Sequence, residues 1–182
     1  DYIRHLPVES FKVQNRGGKG LKGVTTKDED TPQMIVTCFS KDRLLIFTSL
    51  GRVYGLKAWE TPRASRQSRG THIRNLLEHM QDDESIIAIL PVPKDRIEDP
   101  GEIDLIFATR MGNVKRTHLK EYVRINRNGK KALNFQTTDD SLVSVRMMDD
   151  LSQHVLMVTS KAMAVRFHPA GKKRSEEHTS EL

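Results

Sequence analysis

Leu45-Ile-Phe-Thr-Ser-Leu-Gly-Arg-Val-Tyr54 joins two short strand-like runs through a turn centred on a glycine. Two similar stretches follow it, at Ile106–Lys115 and Leu156–Val165. Glycine tolerates the positive φ angle that a tight hairpin requires. The pattern therefore predicts one β-hairpin in each of three repeats. The turn position is held by residues that lie 61 and 50 residues apart, namely Gly51, Gly112 and Ala162.

Each repeat also offers further strand candidates. One apolar run precedes each hairpin pattern, and we expect these runs at Met34–Phe39, Ile86–Leu90 and Leu142–Met147. A partial copy begins at Asp1, and residues 72–80 could form one or two helical turns or another strand. Long windows lack a 3.6-residue periodicity. About four short strands in 50–60 residues is the size of a propeller blade. The sequence predicts an all-β, propeller-like array in an incomplete ring, with a β-sandwich as the alternative.

The composition favours a basic protein that could bind a polyanion. Of the 182 residues, 30 are Lys or Arg and 24 are Asp or Glu, which gives a formal charge of +6. We find no apolar run near the roughly 18 residues of a membrane span. One cysteine, Cys38, cannot form an internal disulfide and suits a reducing compartment. We therefore expect a cytoplasmic protein.

Three basic segments recur in phase with the repeats. Residues 10–27 and 61–77 carry five and four Lys or Arg residues without an acid, and residues 110–133 carry eight with one acid. Asn126-Arg-Asn-Gly-Lys130 also echoes Asn15-Arg-Gly-Gly-Lys19, 111 residues earlier, the sum of the two repeat spacings. Loops in this phase would line one rim of the array. Lys and Arg there would neutralise phosphates without reading base sequence.

Gln14-Asn-Arg-Gly-Gly-Lys-Gly20 resembles the seven-residue signature box of the DNA gyrase A family. Six of the seven positions fit, and Asn15 stands where a basic residue is usual. Tyr2-Ile-Arg-His-Leu-Pro7, Gly51-Arg-Val-Tyr54 and Ala164-Val-Arg-Phe-His168 extend the likeness over residues 1–168. The resemblance implies part of a β-pinwheel that wraps DNA, in which residues 1–173 hold the end of blade one, blades two and three, and little more.

The resemblance and the basic segments together predict the residues that bind double-stranded DNA. Arg16 and Lys19 would contact phosphates, while the glycines of the box would allow close approach of the backbone. The full predicted set is Gln14, Asn15, Arg16, Gly17, Gly18, Lys19, Gly20, Arg63, Arg66, Arg69, Lys115, Arg116, Arg127, Lys130 and Lys131.

The chain lacks the patterns expected of a catalytic domain. It contains no Walker A motif, and its histidines and single cysteine show no metal-ligand spacing. We therefore expect no catalytic residue, metal or cofactor in this chain. The resemblance implies that the parent enzyme binds ATP and Mg²⁺ elsewhere and works with the gyrase B protein as an A2B2 heterotetramer.

Three alternatives to a gyrase DNA-wrapping module remain. The first is the corresponding domain of topoisomerase IV, whose boxes are usually degenerate. The second is a protein-interaction propeller, which would not need basic loops in phase with the repeats. The third is an RNA-binding module with a GxxG loop at Gly17–Gly20, which would need helices on both sides.

The last nine residues do not resemble the rest of the chain. Arg174-Ser-Glu-Glu-His-Thr-Ser-Glu-Leu182 resembles the translation of a common sequencing adapter. We therefore expect residues 174–182 to be a non-native tail that packs against nothing.

Overall fold

The structure is a computed structural model that describes residues 1–10, 32–65, 67–150 and 152–169, and the backbone of 177–179. Among these residues, strands predominate and no helix is long and apolar enough to cross a bilayer. One five-residue α-helix, α1, spans Lys94–Glu98. The strands are β1 (Tyr2–Ile3), β2 (Arg43–Thr48), β3 (Arg52–Lys57), β4 (Thr71–His72), β5 (Ile86–Val92), β6 (Asp104–Thr109), β7 (Asn113–His118), β8 (Lys130–Lys131), β9 (Leu142–Met148), β10 (Val155–Val158), β11 (Ala164–Phe167) and β12 (Glu177–Thr179).

Two four-stranded antiparallel sheets form the centre of the molecule. The second blade has the strand order β5-β2-β3-β8, and the third blade has the order β12-β7-β6-β9. The edge strands β5 and β9 contact each other, so they lie at the interior of the array. The opposite edges, β8 and β12, form its outer side. This arrangement confirms the prediction of an open, propeller-like array.

The predicted hairpins form at the predicted turns. Gly51 and Gly112 have φ angles of +70° and +86°, and Ala162 takes the same left-handed conformation at +60°. A Cβ on Gly51 would stand 2.9 Å from the carbonyl oxygen of Leu133. Glycine at position 51 therefore permits both the left-handed turn and the close approach of the backbone at Leu133.

Successive residues of each central strand face opposite sides of the sheet, one toward the preceding blade and the next toward the following blade. Leu45 and Phe47 of β2 are fully buried and pack against the third blade, where the rings of Phe47 and Phe107 are 5.5 Å apart. Leu44 and Ile46 face the opposite way, toward Ile73 and Leu77 in a second core cluster. A two-residue period in which both faces are buried gives each central strand a continuous apolar sequence.

Each outer strand comes from a later repeat than the hairpin it completes. Lys130 and Lys131 pair with Val53 and Arg52, which lie much earlier in the chain. Thr71 and His72 pair with Ile3 and Tyr2 in the same manner. Gly70 and Gly129 precede these two strands and both have positive φ. Successive repeats are thus interlocked rather than merely stacked.

One predicted strand is absent from the structure. The sequence predicts a strand at residues 34–39, but they have no regular structure, whereas β5 and β9 confirm the two equivalent predictions. A strand needs a hydrogen-bonded neighbour. Within the described residues, the first repeat offers only β1, a two-residue strand that pairs with β4. The prediction for Met34–Phe39 is therefore wrong for this chain.

Part of the C-terminal tail pairs with the third blade. Glu177, His178 and Thr179 pair with Lys115, Val114 and Asn113 of β7. They hold the place on β7 that Lys130 and Lys131 hold on β3. The expectation that residues 174–182 pack against nothing is wrong for the backbone of these three residues. That the tail is non-native stays a prediction.

Candidate nucleic-acid interface

The third basic segment contains a loop that folds onto the outer edge of the second blade. We define this basic loop as residues Asn126–Lys131. Its last two residues form β8, and the carbonyl oxygen of Asn126 accepts hydrogen bonds from the N–H groups of Gly55 (3.3 Å) and Gly129 (3.1 Å). The N–H of Glu78 donates to the carbonyl of Arg127 at 3.0 Å. The loop is therefore held by its backbone, which leaves its cationic side chains available to solvent.

Gly129 lets the basic loop lie directly on the buried ring of Tyr54. Its φ is +69°, and a Cβ there would stand 2.7 Å from two ring carbons and 3.0 Å from the carbonyl oxygen of Val53. The equivalent Gly70 would bring a Cβ within 2.5 Å of the carbonyl oxygen of Ile3. Both loops need glycine for conformation and for space.

A buried carboxylate anchors the basic loop through Arg52. Glu84 accepts hydrogen bonds from Tyr54 (3.1 Å) and from Thr48, and burial, followed by the Glu84 charge, raises the pKa of Tyr54. Arg52 donates through Nε to the Tyr54 hydroxyl at 3.0 Å and through Nη2 to the carbonyl oxygen of Asn128 at 3.1 Å. Arg52 thus connects the core of the second blade to a loop from a later repeat. It is a site residue that the sequence patterns did not indicate.

Four of the predicted cations lie in or beside this loop. Arg127, Lys130 and Lys131 are exposed. Lys130 donates to the carbonyl of Glu121 and lies 5.1 Å from the ring centre of Tyr122, whose pKa is raised to about 12 by burial. Lys115 of β7 reaches the carbonyl of Ala132 at 3.5 Å. The structure therefore gathers these cations from two blades.

One acid close to the loop was missed by sequence reasoning. Glu60 lies 2.8 Å from Nη2 of Arg127, whose side chain remains 46% exposed. Burial opposes ionisation of Glu60, but the backbone N–H of Lys57 and the charge of Arg127 hold its pKa below the ordinary value. Part of the positive charge of Arg127 is therefore already balanced inside the protein. Sequence alone gave no signal for this pair, because its members lie in different repeats.

The second basic segment forms the equivalent loop on the first blade. Arg63 is exposed, and its backbone forms an isolated parallel β-bridge with His5. Arg69 places its guanidinium 4.0 Å from the ring centre of Tyr2. Arg66 lies outside the described residues. Two successive outer strands, β4 and β8, thus each follow a glycine with positive φ and each lie within a basic segment.

Arg116 is the one described cation of the predicted set that turns inward. Its Nε lies 2.8 Å from Oδ2 of the buried Asp104, its Nη1 lies 2.5 Å from the carbonyl oxygen of Pro169, and its side chain is only 12% exposed. An arginine neutralised in this way stabilises the third blade and does not present its charge to a ligand. This placement argues against the predicted DNA contact of Arg116.

The signature box lies outside the described residues. This applies to Gln14, Asn15, Arg16, Gly17, Gly18, Lys19 and Gly20, so their assignment stays a prediction. Among the described residues, no group of three or more His, Cys, Asp or Glu side chains is placed to hold a metal ion.

A carboxylate also closes the turn between β6 and β7. Asp140 accepts hydrogen bonds from the N–H of Met111 (3.0 Å), from Nδ2 of Asn113 (3.1 Å) and from the N–H of Ser141 (2.9 Å). Burial opposes ionisation, but these bonds and one from Thr109 hold the pKa of Asp140 below its ordinary value. Asp140 thus holds the β6–β7 hairpin as Glu84 holds the β2–β3 hairpin.

Comparisons with known proteins agree with this architecture. A curated DNA gyrase A protein from Staphylococcus epidermidis is 44% identical over 167 residues, which are 92% of this chain but 18% of that relative. The solved C-terminal domain of DNA topoisomerase IV is 29% identical with a TM-score of 0.62, and the alignment covers 71% of this chain and 38% of that one. A solved DNA gyrase A C-terminal domain shares the fold at 19% identity and a TM-score of 0.60, over 94% of this chain and 53% of that one.

The family assignment rests on a match that spans more than half of the chain. The family model described as "DNA gyrase C-terminal domain, beta-propeller" matches residues 2–31, 42–93 and 104–147. These ranges include the signature box, the hairpins of the second and third blades and the basic loop. The chain therefore belongs to the DNA gyrase C-terminal domain family.

Proposed function

We propose that the outer edge of this array binds double-stranded DNA through its phosphates and bends it around the blades. The observation that carries the proposal is the repeated arrangement of β4 and β8, each of which follows a glycine and lies within a basic segment on the outer side. Cations that recur with each blade suit a duplex that follows the rim. Such binding would be nearly independent of base sequence, because the phosphates carry no sequence information.

The chemistry of the loop supports phosphate binding rather than base recognition. Arg127, Lys130 and Lys131 are exposed donors on a backbone held in place by Gly55, Glu78 and Arg52. Aromatic residues make up only 5% of the chain, which is few for a surface that stacks single-stranded bases. Duplex DNA held by its backbone fits the rim better than single-stranded RNA.

We further infer that the chain is part of a DNA gyrase A protein, since it spans 18% of the curated relatives it matches. The parent enzyme would use this module to wrap DNA during ATP-dependent negative supercoiling, in the cytoplasm and together with the gyrase B protein. ATP and Mg²⁺ would act in other domains. The role of this chain would be to bind and bend DNA and not to perform chemistry.

Plasmid assays on the full-length gyrase A protein, assembled with gyrase B, test this role. Replacing Arg16 and Lys19 with Ala should abolish negative supercoiling and spare relaxation, because strand cleavage would reside elsewhere. The matched pair, Arg127→Ala with Lys130→Ala, should cost less, because Asn128 and Lys131 replace two glycines of the box. Normal supercoiling by the Arg16/Lys19 variant, or simultaneous loss of cleavage, would show that the box is not the wrapping site.

A further inference from the structure

The single tryptophan of the chain, Trp59, is exposed on the surface of the second blade. It lies in the short 3-10 turn Ala58–Glu60, which directly follows β3. The side chain of Trp59 is 59% exposed, whereas that of the preceding Ala58 is buried. Exposed tryptophans contribute strongly where a protein binds a partner, because one such side chain buries a large apolar area.

Packing of the blades does not require an aromatic residue at this position. The equivalent 3-10 turns of the first and third repeats are Val8–Ser10 and Leu119–Tyr122. The second residue of each turn is exposed and charged, namely Glu9 and Lys120. The blades therefore form with polar side chains here, and the indole of Trp59 is available for another role.

Backbone hydrogen bonds hold the turn of Trp59 in one orientation. The N–H of Trp59 donates to the carbonyl oxygen of Ser40 at 3.2 Å. The side chain of Glu60 accepts a hydrogen bond from the N–H of Lys57 at 2.9 Å. Because the turn is already fixed, little conformational freedom would be lost when a ligand covers the indole.

Cations lie beside Trp59 on the strand before it and on the basic loop. Nζ of Lys57 lies 5.7 Å from the centre of the indole ring. The next residue, Glu60, lies 2.8 Å from Nη2 of Arg127 in the basic loop. The exposed Arg63 follows in the second basic segment, which begins at residue 61. Trp59 therefore lies between two of the basic segments that the proposed function assigns to phosphate binding.

We propose that Trp59 contacts the bound duplex, with its indole ring packed against deoxyribose groups beside the phosphates that Lys57 and Arg127 neutralise. This inference rests on the proposed function and adds an apolar contact to a rim of cations. Contacts to sugars and phosphates position a duplex without reading its bases. An indole suits this position, because its ring covers the apolar face of a sugar while its Nε1–H can donate to a phosphate oxygen.

The emission of the single tryptophan tests the contact in this chain. A duplex should reduce both the emission of Trp59 and its quenching by acrylamide, and both changes should follow the binding curve given by the anisotropy of a dye on the DNA. If Trp59 stays as open to acrylamide in the bound complex as in the free chain, the inference is wrong and the DNA-binding function stands. If the anisotropy shows no duplex binding, the proposed function fails and the inference fails with it.

Substitutions of Trp59 separate a DNA contact from a role in folding. Trp59→Ala should weaken duplex binding about tenfold at every salt concentration, and Trp59→Phe should lose less, because it keeps an aromatic ring. The slope of log affinity against log salt should stay at the wild-type value, because counterion release depends on cations and not on apolar contacts. Val143→Ala is the matched control, since Val143 is 51% exposed on the interior edge strand β9 and should not affect binding.

Three results of these experiments would contradict the contact. Wild-type affinity in Trp59→Ala would show that the indole adds nothing to binding. A lower salt slope in Trp59→Ala would show that the turn positions Arg127 through Glu60 instead of contacting DNA. An indole already shielded from acrylamide before DNA is added would show that protein covers it, and that the surface binds a protein partner.

Discussion

Gly129 lies so close to Tyr54 that a Cβ atom on the glycine would stand 2.7 Å from two carbons of the tyrosine ring. The two residues belong to different repeats, and their contact places the basic loop on the outer edge of the second blade. The basic loop that carries the cations therefore also supplies β8, the outer strand of the second blade. Changes in this contact should affect both stability and DNA binding.

Gly129→Ala should destabilise the chain and weaken DNA binding. The left-handed φ and the collision with Tyr54 together should cost about 1–3 kcal/mol of unfolding free energy, and the loop should shift outward. Gly101→Ala is the matched control, because Gly101 also has a positive φ of +55° but its nearest neighbour is a flexible arginine nitrogen at 3.4 Å. Urea unfolding and duplex-DNA titration would measure both effects. Equal losses in the two variants would contradict the role of the Tyr54 contact.

Glu60→Gln should increase the affinity for duplex DNA. Glu60 balances part of the charge of Arg127 across 2.8 Å, and its removal would free the guanidinium for a phosphate. One additional phosphate bound should steepen the plot of log affinity against log salt by about 0.9. Glu98→Gln removes the same charge from an exposed pair with Lys94 and serves as the control. Weaker binding by Glu60→Gln alone would show that Glu60 positions Arg127 instead of competing for it.

The repeats could be predicted from the sequence, but the partners of the outer strands could not. Gly51 and Gly112 carry a local signal, since hairpins depend on neighbouring residues and on a turn of positive φ. The pairing of Lys130 with Val53 depends on contacts between distant repeats, and a two-residue strand has no periodicity of its own.

The missing strand at Met34–Phe39 and the inward side chain of Arg116 have a common cause. Residues 34–39 have the composition of a strand but lack a neighbouring hairpin among the described residues. Arg116 belongs to a basic segment, but its partner Asp104 lies on the adjacent strand and faces the interior. In both cases the outcome depends on what lies opposite the residue, which the local sequence does not encode.

Stability should fall in acid partly through Asp140. The pKa of Asp140 in the folded chain lies below the ordinary value of 3.8, so the ionised carboxylate stabilises the fold at neutral pH. That contribution is fully present above the ordinary value and is lost as the pH falls through the lower folded pKa. Thermal unfolding from about pH 7 to about pH 2.5 should show a smaller acid loss for Asp140→Asn than for the wild type. Parallel curves would contradict the assignment.

Ala162→Gly should stabilise the hairpin formed by β10 and β11. Ala162 has a φ of +60° at the position that glycine holds in the two preceding hairpins, and a left-handed non-glycine residue costs roughly 1–2 kcal/mol. Hydrogen exchange of the amides in β10 and β11 should slow in the variant. Unchanged or faster exchange would indicate that the turn is not strained.

The most direct test of a phosphate-binding rim is the salt dependence of duplex-DNA affinity, measured with DNA of unrelated sequences. Binding should fall steeply with salt and vary little with sequence. Arg127→Ala, Lys130→Ala and Lys131→Ala together should reduce the slope by about 0.9 for each phosphate that is no longer bound. The control carries the same charge change at the exposed Lys41, Lys94 and Arg96 and should keep the wild-type slope. Equal slopes for the two triple variants, or a wild-type affinity that does not depend on salt, would contradict the account.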